Sequence, residues 1–234
     1  MAIPWHPLLE GSDAERAWAV IHDIADALRG PAAEMDDPGV GSGTAGLALF
    51  YAYLGAATGD GQWAAIANRL MEHSIDALSE RSLPPELFDG FTGIAWTKHH
   101  LEGILFEASD ENDPILDSLR QLLERPHGFQ RGEFDFIGGL AGYGIYAFDA
   151  LPRPAAKRSL ELLAQRLIEI GEPVNGGFSW FSPPEALPDW QLEEAPNGKF
   201  NLGVSHGVAA VIAILGLCCG AGALSAEQRA IFDR

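Results

Sequence analysis

The chain has 234 residues, of which 47% are hydrophobic and 21% are charged, and this composition excludes an intrinsically disordered protein. Its 33 acidic and 15 basic residues give a formal net charge of -18, and the basic residues form no cluster. Because phosphate backbones and anionic lipid surfaces would be repelled, we expect no nucleic-acid partner and no binding to a membrane surface.

The N-terminal part of the chain predicts a helix and no targeting segment. No basic stretch followed by an apolar one is present, so no signal peptide is predicted and a cytoplasmic location is expected. Apolar residues at helical spacing predict an amphipathic helix that starts with a capping box of Ser12 and Glu15 and ends at Gly30, before Pro31.

Four glycine-rich apolar stretches then recur about every fifty residues, which is typical of a repeat architecture. Their cores are the pairs Gly43/Gly46, Gly90/Gly93 and Gly139/Gly142, and Gly207 with Ala210 in place of a second glycine. Amphipathic helices are predicted between these stretches, one of them with Asp113 as its N-cap and Pro114 at its first position. The last interval is longer because residues 171–200, rich in proline, glycine and aromatic residues, form a predicted long ordered loop.

These patterns predict an all-α fold of repeated helical hairpins, arranged as a partial double-layered α/α toroid or barrel. The glycine-headed helices are apolar on most sides and are expected inside, with the amphipathic helices covering them. No segment alternates like a strand, so we expect little or no sheet. The uncharged segment from Gly207 to Leu224 is interpreted as a buried inner helix and not as a membrane span.

Parallel inner helices would gather their N-terminal ends at one mouth, where backbone N–H groups create a positive local field. The residue before each glycine core lines this mouth, which gives Ser42, Asp89, Gly138 and His206. Asp135 lies four residues before Gly139, between two phenylalanines, where a structural role is hard to find. Asp89 has the alternative interpretation of a helix N-cap. A histidine at a helix N-terminus is expected as a neutral imidazole, suited to proton transfer or ligation.

The segments "FDFIGGLAGYGIYAF" and "NGKFNLGVSHGVAAVIAIL" resemble the lanthionine synthetase C-like proteins, the lanthipeptide cyclases, and the resemblance extends from about Gly39 onward. It implies a double α/α toroid that adds a cysteine thiol of a precursor peptide, with its leader and core parts, to dehydroalanine or dehydrobutyrine. It also implies a zinc ion that favours the thiolate, and a dehydratase and exporter complex as partners. His206 and Asp135 match the family's catalytic histidine and aspartate, which implies an acid–base role for this pair.

The chain departs from the family pattern in its metal ligands. The family binds zinc through a cysteine in Trp-Cys-x-Gly and a pair in Cys-His-Gly, both in later repeats, and neither segment occurs in this sequence. The adjacent Cys218 and Cys219 do not replace them; we interpret them as small core residues. We therefore expect residues 1–234 to be a single lanthionine synthetase C-like domain truncated at its C-terminus, with no metal ligand and no tight zinc binding by this chain alone.

Two other functions stay open at this point. A non-catalytic module could bind a precursor peptide or a partner synthetase without a zinc site, and the missing ligands favour this alternative. A glycoside-active α/α barrel would use Asp89 and Asp135 as acid and base, with loop aromatics stacking on sugars. Asp89 and the loop residue Trp180 are accordingly predicted substrate-binding residues.

Overall fold

The computed structural model describes residues 7–107, 114–126 and 128–233, and these residues are mostly helical. The helices are α1 (Gly11–Glu34), α2 (Thr44–Thr58), α3 (Gly61–Glu80), α4 (Phe91–His100), α5 (Pro114–Glu124), α6 (Leu140–Asp149), α7 (Pro154–Ile170), α8 (Asp189–Leu192), α9 (Val208–Gly220) and α10 (Ala226–Phe232). The chain divides into two compact units, residues 1–36 and residues 37–234. The prediction of one domain over residues 1–234 stays a prediction.

Helix α1 belongs to the first unit, and its ends differ from those predicted. The helix begins at Gly11 after Glu10, with no side-chain cap, so the predicted capping box of Ser12 and Glu15 is wrong. The chain is already helical at Ser12, whereas a capping residue must have an extended backbone. The helix also continues through Pro31 to Glu34. The predicted N-cap Asp113 of α5 lies outside the described residues, but α5 does begin at Pro114.

In the second unit, four apolar helices form an inner row and amphipathic helices cover them. Helix α2 contacts α4, α4 contacts α6, and α6 contacts α9, so the glycine-headed helices are neighbours in chain order. Helices α3 and α7 pack on α2 and α6, with their apolar faces inward. A core cluster lies among α5, α6, α7 and α9 and includes Tyr146, Leu163 and Val211, each of them fully buried. This arrangement confirms the predicted hairpin layers.

Residues 171–200 form an ordered insertion that contains a small sheet. Strands β1 (Glu172–Val174) and β2 (Gly177–Ser179) pair antiparallel, and Asn175 and Gly176 between them both have positive φ, as a tight hairpin turn requires. A short 3-10 turn (Pro184–Ala186) and α8 follow. The expectation of little sheet is thus met outside this hairpin, whose three-residue strands are too short for alternation to be recognised in the sequence.

A membrane span needs a long helix with few charges, and no helix in residues 7–107, 114–126 and 128–233 meets both requirements. Helix α9, the most apolar of the inner helices, has 13 residues, and six of them are buried against neighbouring helices.

The same backbone loop precedes every inner helix. The first N–H of the helix donates to the carbonyl oxygen seven residues earlier: Thr44 to Asp37, Phe91 to Pro84, Leu140 to Glu133 and Val208 to Asn201, all between 2.8 and 3.0 Å. The residue between loop and helix is always glycine, yet its backbone is extended and open to any residue. Glycine is needed there because a side chain would collide with the loop's own backbone. Glycine is therefore required by the close approach of the loop backbone to this position, and not by an unusual backbone conformation.

The second glycine of each core meets the loop in the same way. A methyl group at Gly46, Gly93 or Gly142 would overlap the carbonyl oxygen of Val40, Leu87 or Phe136, the third residue before the first glycine of that core. The two glycines therefore hold the loop against the first turn of the helix.

We predict that Gly93→Ala lowers the free energy of unfolding by at least about 2 kcal/mol, because the new methyl group would displace the Leu87 carbonyl. The matched control is Gly61→Ala at the start of α3, where no atom lies within 4 Å of the added methyl group. We expect the control to stay within about 1 kcal/mol of the original chain. Urea unfolding of both variants measures the difference, and equal midpoints for the two would contradict the close-approach account.

Candidate functional site

The four loops before the inner helices, residues 37–43, 84–90, 133–139 and 201–207, form what we call the mouth. Neighbouring loops are joined by backbone hydrogen bonds in corresponding positions. The Val40 N–H donates to the Phe88 carbonyl at 2.7 Å, and the Phe136 N–H donates to the Ser205 carbonyl at 3.0 Å. These bonds fix the register between the first and second loops and between the third and fourth.

The register brings together the two predicted catalytic residues, which are 71 positions apart in the sequence. His206 Nδ1 lies 2.6 Å from Asp135 Oδ2. The other carboxylate oxygen of Asp135 accepts the Gly138 N–H at 2.8 Å. Both oxygens are therefore occupied, and the carboxylate is fixed in orientation.

The hydrogen bond determines what the imidazole can do. A carboxylate only accepts hydrogen bonds, so Nδ1 carries a proton, and Nε2 of a neutral ring is left as the acceptor. The His206 side chain is 54% exposed while that of Asp135 is 22% exposed. The geometry is that of an imidazole held by a carboxylate, with its second nitrogen available to take and return a proton.

The peptide groups around the pair complement its charge. Gly207, directly after His206, is the N-cap of α9 and has no side-chain cap. The positive end of a helix disfavours an added cation and favours a nearby anion. The helix end therefore complements a negative charge on the neighbouring Asp135 carboxylate, and the neutral imidazole expected from the sequence stays a prediction.

Asp89 lies at the mouth but does not cap a helix. The N-cap of α4 is Gly90, and no side chain caps it, so the interpretation of Asp89 as an N-cap is wrong. Asp89 is exposed, and its Oδ1 lies against the backbone of Gly41, 3.2 Å from where a side chain would begin. Its role in binding substrate stays a prediction.

Two further polar residues at the mouth were missed in the sequence. Glu86 is half-buried, and burial first, then the charges of Asp89 and Asp135, raise its pKa. Tyr143 donates its hydroxyl to the Gly138 carbonyl at 3.0 Å, and burial together with nearby carboxylates raises its pKa. Glu86 lies four residues before Gly90, as Asp135 lies four before Gly139, so the repeat register could have identified it.

Trp180 is not brought to the acid–base pair. Its side chain is 4% exposed, and its indole N–H donates to the Leu167 carbonyl at 2.7 Å. It lines an apolar cavity of about 270 Å³ with residues of α7, α9 and α10. No contact between Trp180 and His206, Asp135 or Asp89 is found in the described part of the chain. An indole buried in this way is difficult for a substrate to stack on.

The donor set does not fit a zinc ion. No group of three or more histidine, cysteine or carboxylate side chains that could hold a metal occurs among residues 7–107, 114–126 and 128–233. Cys218 is buried against the Leu160 carbonyl, and burial raises the pKa of its thiol to about 12, whereas zinc binds the thiolate. Cys219 lies more than three helical turns along α9 from His206, and its sulfur accepts a hydrogen bond from Arg229. A zinc ion at the acid–base pair would need ligands from outside these residues.

Comparison with known proteins agrees with this architecture. A family model described as lanthionine synthetase C-like protein matches residues 34–234. Among solved structures, nisin cyclase matches with a TM-score of 0.74 at 20% sequence identity, covering 94% of this chain and 56% of nisin cyclase. At this identity the likeness shows the fold, and the α/α toroid of nisin cyclase confirms the predicted fold class. The chain thus spans little more than half of nisin cyclase. No curated protein sequence matches the chain.

We predict that the chain alone binds no zinc tightly, because its thiols and its histidine–carboxylate pair do not converge. Titration with Zn²⁺ against a competing chromophoric chelator measures this, and the chelator should retain the metal at equimolar protein. Stoichiometric uptake that is lost in Cys218→Ser or Cys219→Ser would contradict the account.

Proposed function

Because the chain belongs to the lanthionine synthetase C-like family, we propose that it carries the acid–base half of a thioether-forming active site. The observation that carries this proposal is the hydrogen bond between His206 Nδ1 and Asp135 Oδ2, formed across two repeats at the mouth. The substrate class is a ribosomal precursor peptide that contains a cysteine thiol and a dehydroalanine or dehydrobutyrine.

The pair suits both proton transfers of a conjugate addition. The thiol sulfur forms a bond to the β-carbon of the dehydro residue, and the π electrons move to the α-carbon and its carbonyl, giving an enolate. His206 Nε2 accepts the thiol proton before addition and donates it to the α-carbon afterwards, so that protons balance over the cycle. Asp135 holds the ring in the Nδ1–H form and stabilises the imidazolium between the two transfers.

The site supports the general-base role of His206 better than a glycosidase pair. A glycosidase needs two carboxyl groups on opposite sides of a sugar bond, one of them free to donate a proton. Each carboxylate oxygen of Asp135 already has a hydrogen-bond donor: Oδ2 accepts from His206 and Oδ1 accepts from Gly138. Asp135 is therefore committed to orienting the imidazole.

A second candidate is a non-catalytic module that binds the precursor peptide or a partner protein. The donor set described above favours it, since nothing among the described residues activates the peptide thiol as a metal would. In both cases we expect the chain alone to show no cyclisation of a peptide through its own cysteine. A dehydratase, which makes the dehydro residues, and an exporter complex are the partners consistent with the proposal.

The two candidates are separated by supplying a thiol that needs no metal for its activation. An acidic aryl thiol, added to a dehydroalanine peptide, gives its proton to His206 Nε2 without a metal ion, and the imidazolium so formed returns that proton to the α-carbon of the enolate. We predict a rate about 100-fold above the uncatalysed one, as is typical of general acid catalysis, and one configuration at the new α-carbon. His206→Asn and Asp135→Asn should lose both effects.

The matched control is Asp76→Asn, which removes an exposed carboxylate on α3. It should leave rate and configuration unchanged. Chromatography of the hydrolysed product on a chiral phase gives the configuration, and mass spectrometry gives the rate. A bound peptide that yields both configurations at the uncatalysed rate would contradict the catalytic proposal and favour the binding module.

A further inference from the structure

Glu86 occupies in the second repeat the position that Asp135 occupies in the third. The first three loops share one relation to the loop that follows. The fourth residue before the capping glycine of one loop lies beside the residue that directly precedes the capping glycine of the next. A Cβ at Gly39 would lie 3.2 Å from the Asp89 Cα, and Asp135 Oδ2 lies 2.6 Å from His206 Nδ1. Glu86 is the intermediate case, and the next-loop residue beside it is Gly138.

Gly138 connects Glu86 to the acid–base pair. A Cβ at Gly138 would lie 3.4 Å from Glu86 Oε1, so the carboxylate packs on the backbone of this residue. The Gly138 N–H donates to Asp135, and the Gly138 carbonyl accepts the Tyr143 hydroxyl. Ser42, Asp89 and His206 present side chains at the equivalent position, and glycine in the third loop leaves that space to Glu86.

The surroundings of Glu86 are unfavourable for an ionised carboxylate. Burial, and then the charges of Asp89 and Asp135, raise its pKa, and no ion pair to Glu86 is found among the described residues. The folded chain therefore holds this proton more tightly than the unfolded chain does. The linked stability is fully present below the ordinary carboxylate pKa and is lost as the pH rises through the raised value.

We infer that Glu86 is a positioning residue: through its contact on Gly138 and its negative charge beside Asp135, it strengthens the affinity of the Asp135–His206 pair for a proton. This inference rests on the acid–base role proposed above. The titratable groups near the pair are Glu86, Asp89, Glu133 and Tyr143, and the peptide N–H of Gly138 donates to Asp135. Glu86 acts through Asp135 and is not expected to touch the substrate.

The test is an NMR titration of the full chain in which the imidazole C–H resonances of His206 are followed with pH. The chain has seven histidines, and His206→Asn identifies the signal. In Glu86→Gln the titration midpoint of His206 should fall by about 0.3 pH unit or more, because a neighbouring negative charge that favours the imidazolium is lost. Glu80→Gln, which removes an exposed carboxylate at the end of α3, is the control for net charge and should leave the midpoint in place.

Thermal unfolding of the same variants separates this role from a purely structural one. Glu86→Gln should be more stable than the original chain at pH 8, and the gain should shrink as the pH falls toward 5. Glu86→Asp keeps the charge and should retain most of the His206 midpoint. An unchanged His206 midpoint in Glu86→Gln would overturn the inference. Neither readout depends on thioether formation, so failure of the proposed function would be seen separately in the aryl-thiol assay.

Discussion

The second unit depends on one backbone hydrogen bond, repeated four times. The first N–H of each inner helix donates to the carbonyl seven residues earlier, and this closes a tight loop in which only glycine fits next to the helix. Each loop then presents its residues in the same places relative to the next loop. The chemistry of the mouth is decided by which side chains occupy these fixed places, and three of the four loops place at least one titratable side chain beside a neighbouring loop.

The repeat explains why a histidine and an aspartate far apart in sequence meet. Asp135 is four residues before one capping glycine and His206 is one residue before the next, and neighbouring loops bring these two positions together. The same pairing in the first two loops joins Gly39 and Asp89, and in the second and third it joins Glu86 and Gly138. The same contact between neighbouring loops thus forms the acid–base pair of Asp135 and His206 and packs the Glu86 carboxylate on Gly138.

Much of this architecture could be predicted from the sequence, because glycine spacing and apolar periodicity are local signals. The inner helices, their covering helices and the gathering of Asp135 and His206 at one end follow from them. Glu86 was missed because its neighbour is a glycine, and only the comparison of loop positions shows what it faces. The burial of Trp180 could not be predicted, since it depends on how the insertion folds back on α7. The start of α1 was predicted wrongly because a serine followed by a glutamate three residues on is also common within helices.

The orientation of the His206 ring is the central claim, and its tautomer tests that claim most directly. Long-range ¹H–¹⁵N correlation on the ¹⁵N-labelled chain, at a pH where the ring is neutral, distinguishes the protonated nitrogen from the other. The account predicts a proton on Nδ1 and an unprotonated Nε2, because Asp135 accepts from Nδ1. A proton on Nε2, or the averaged signals of an unconstrained imidazole, would contradict it.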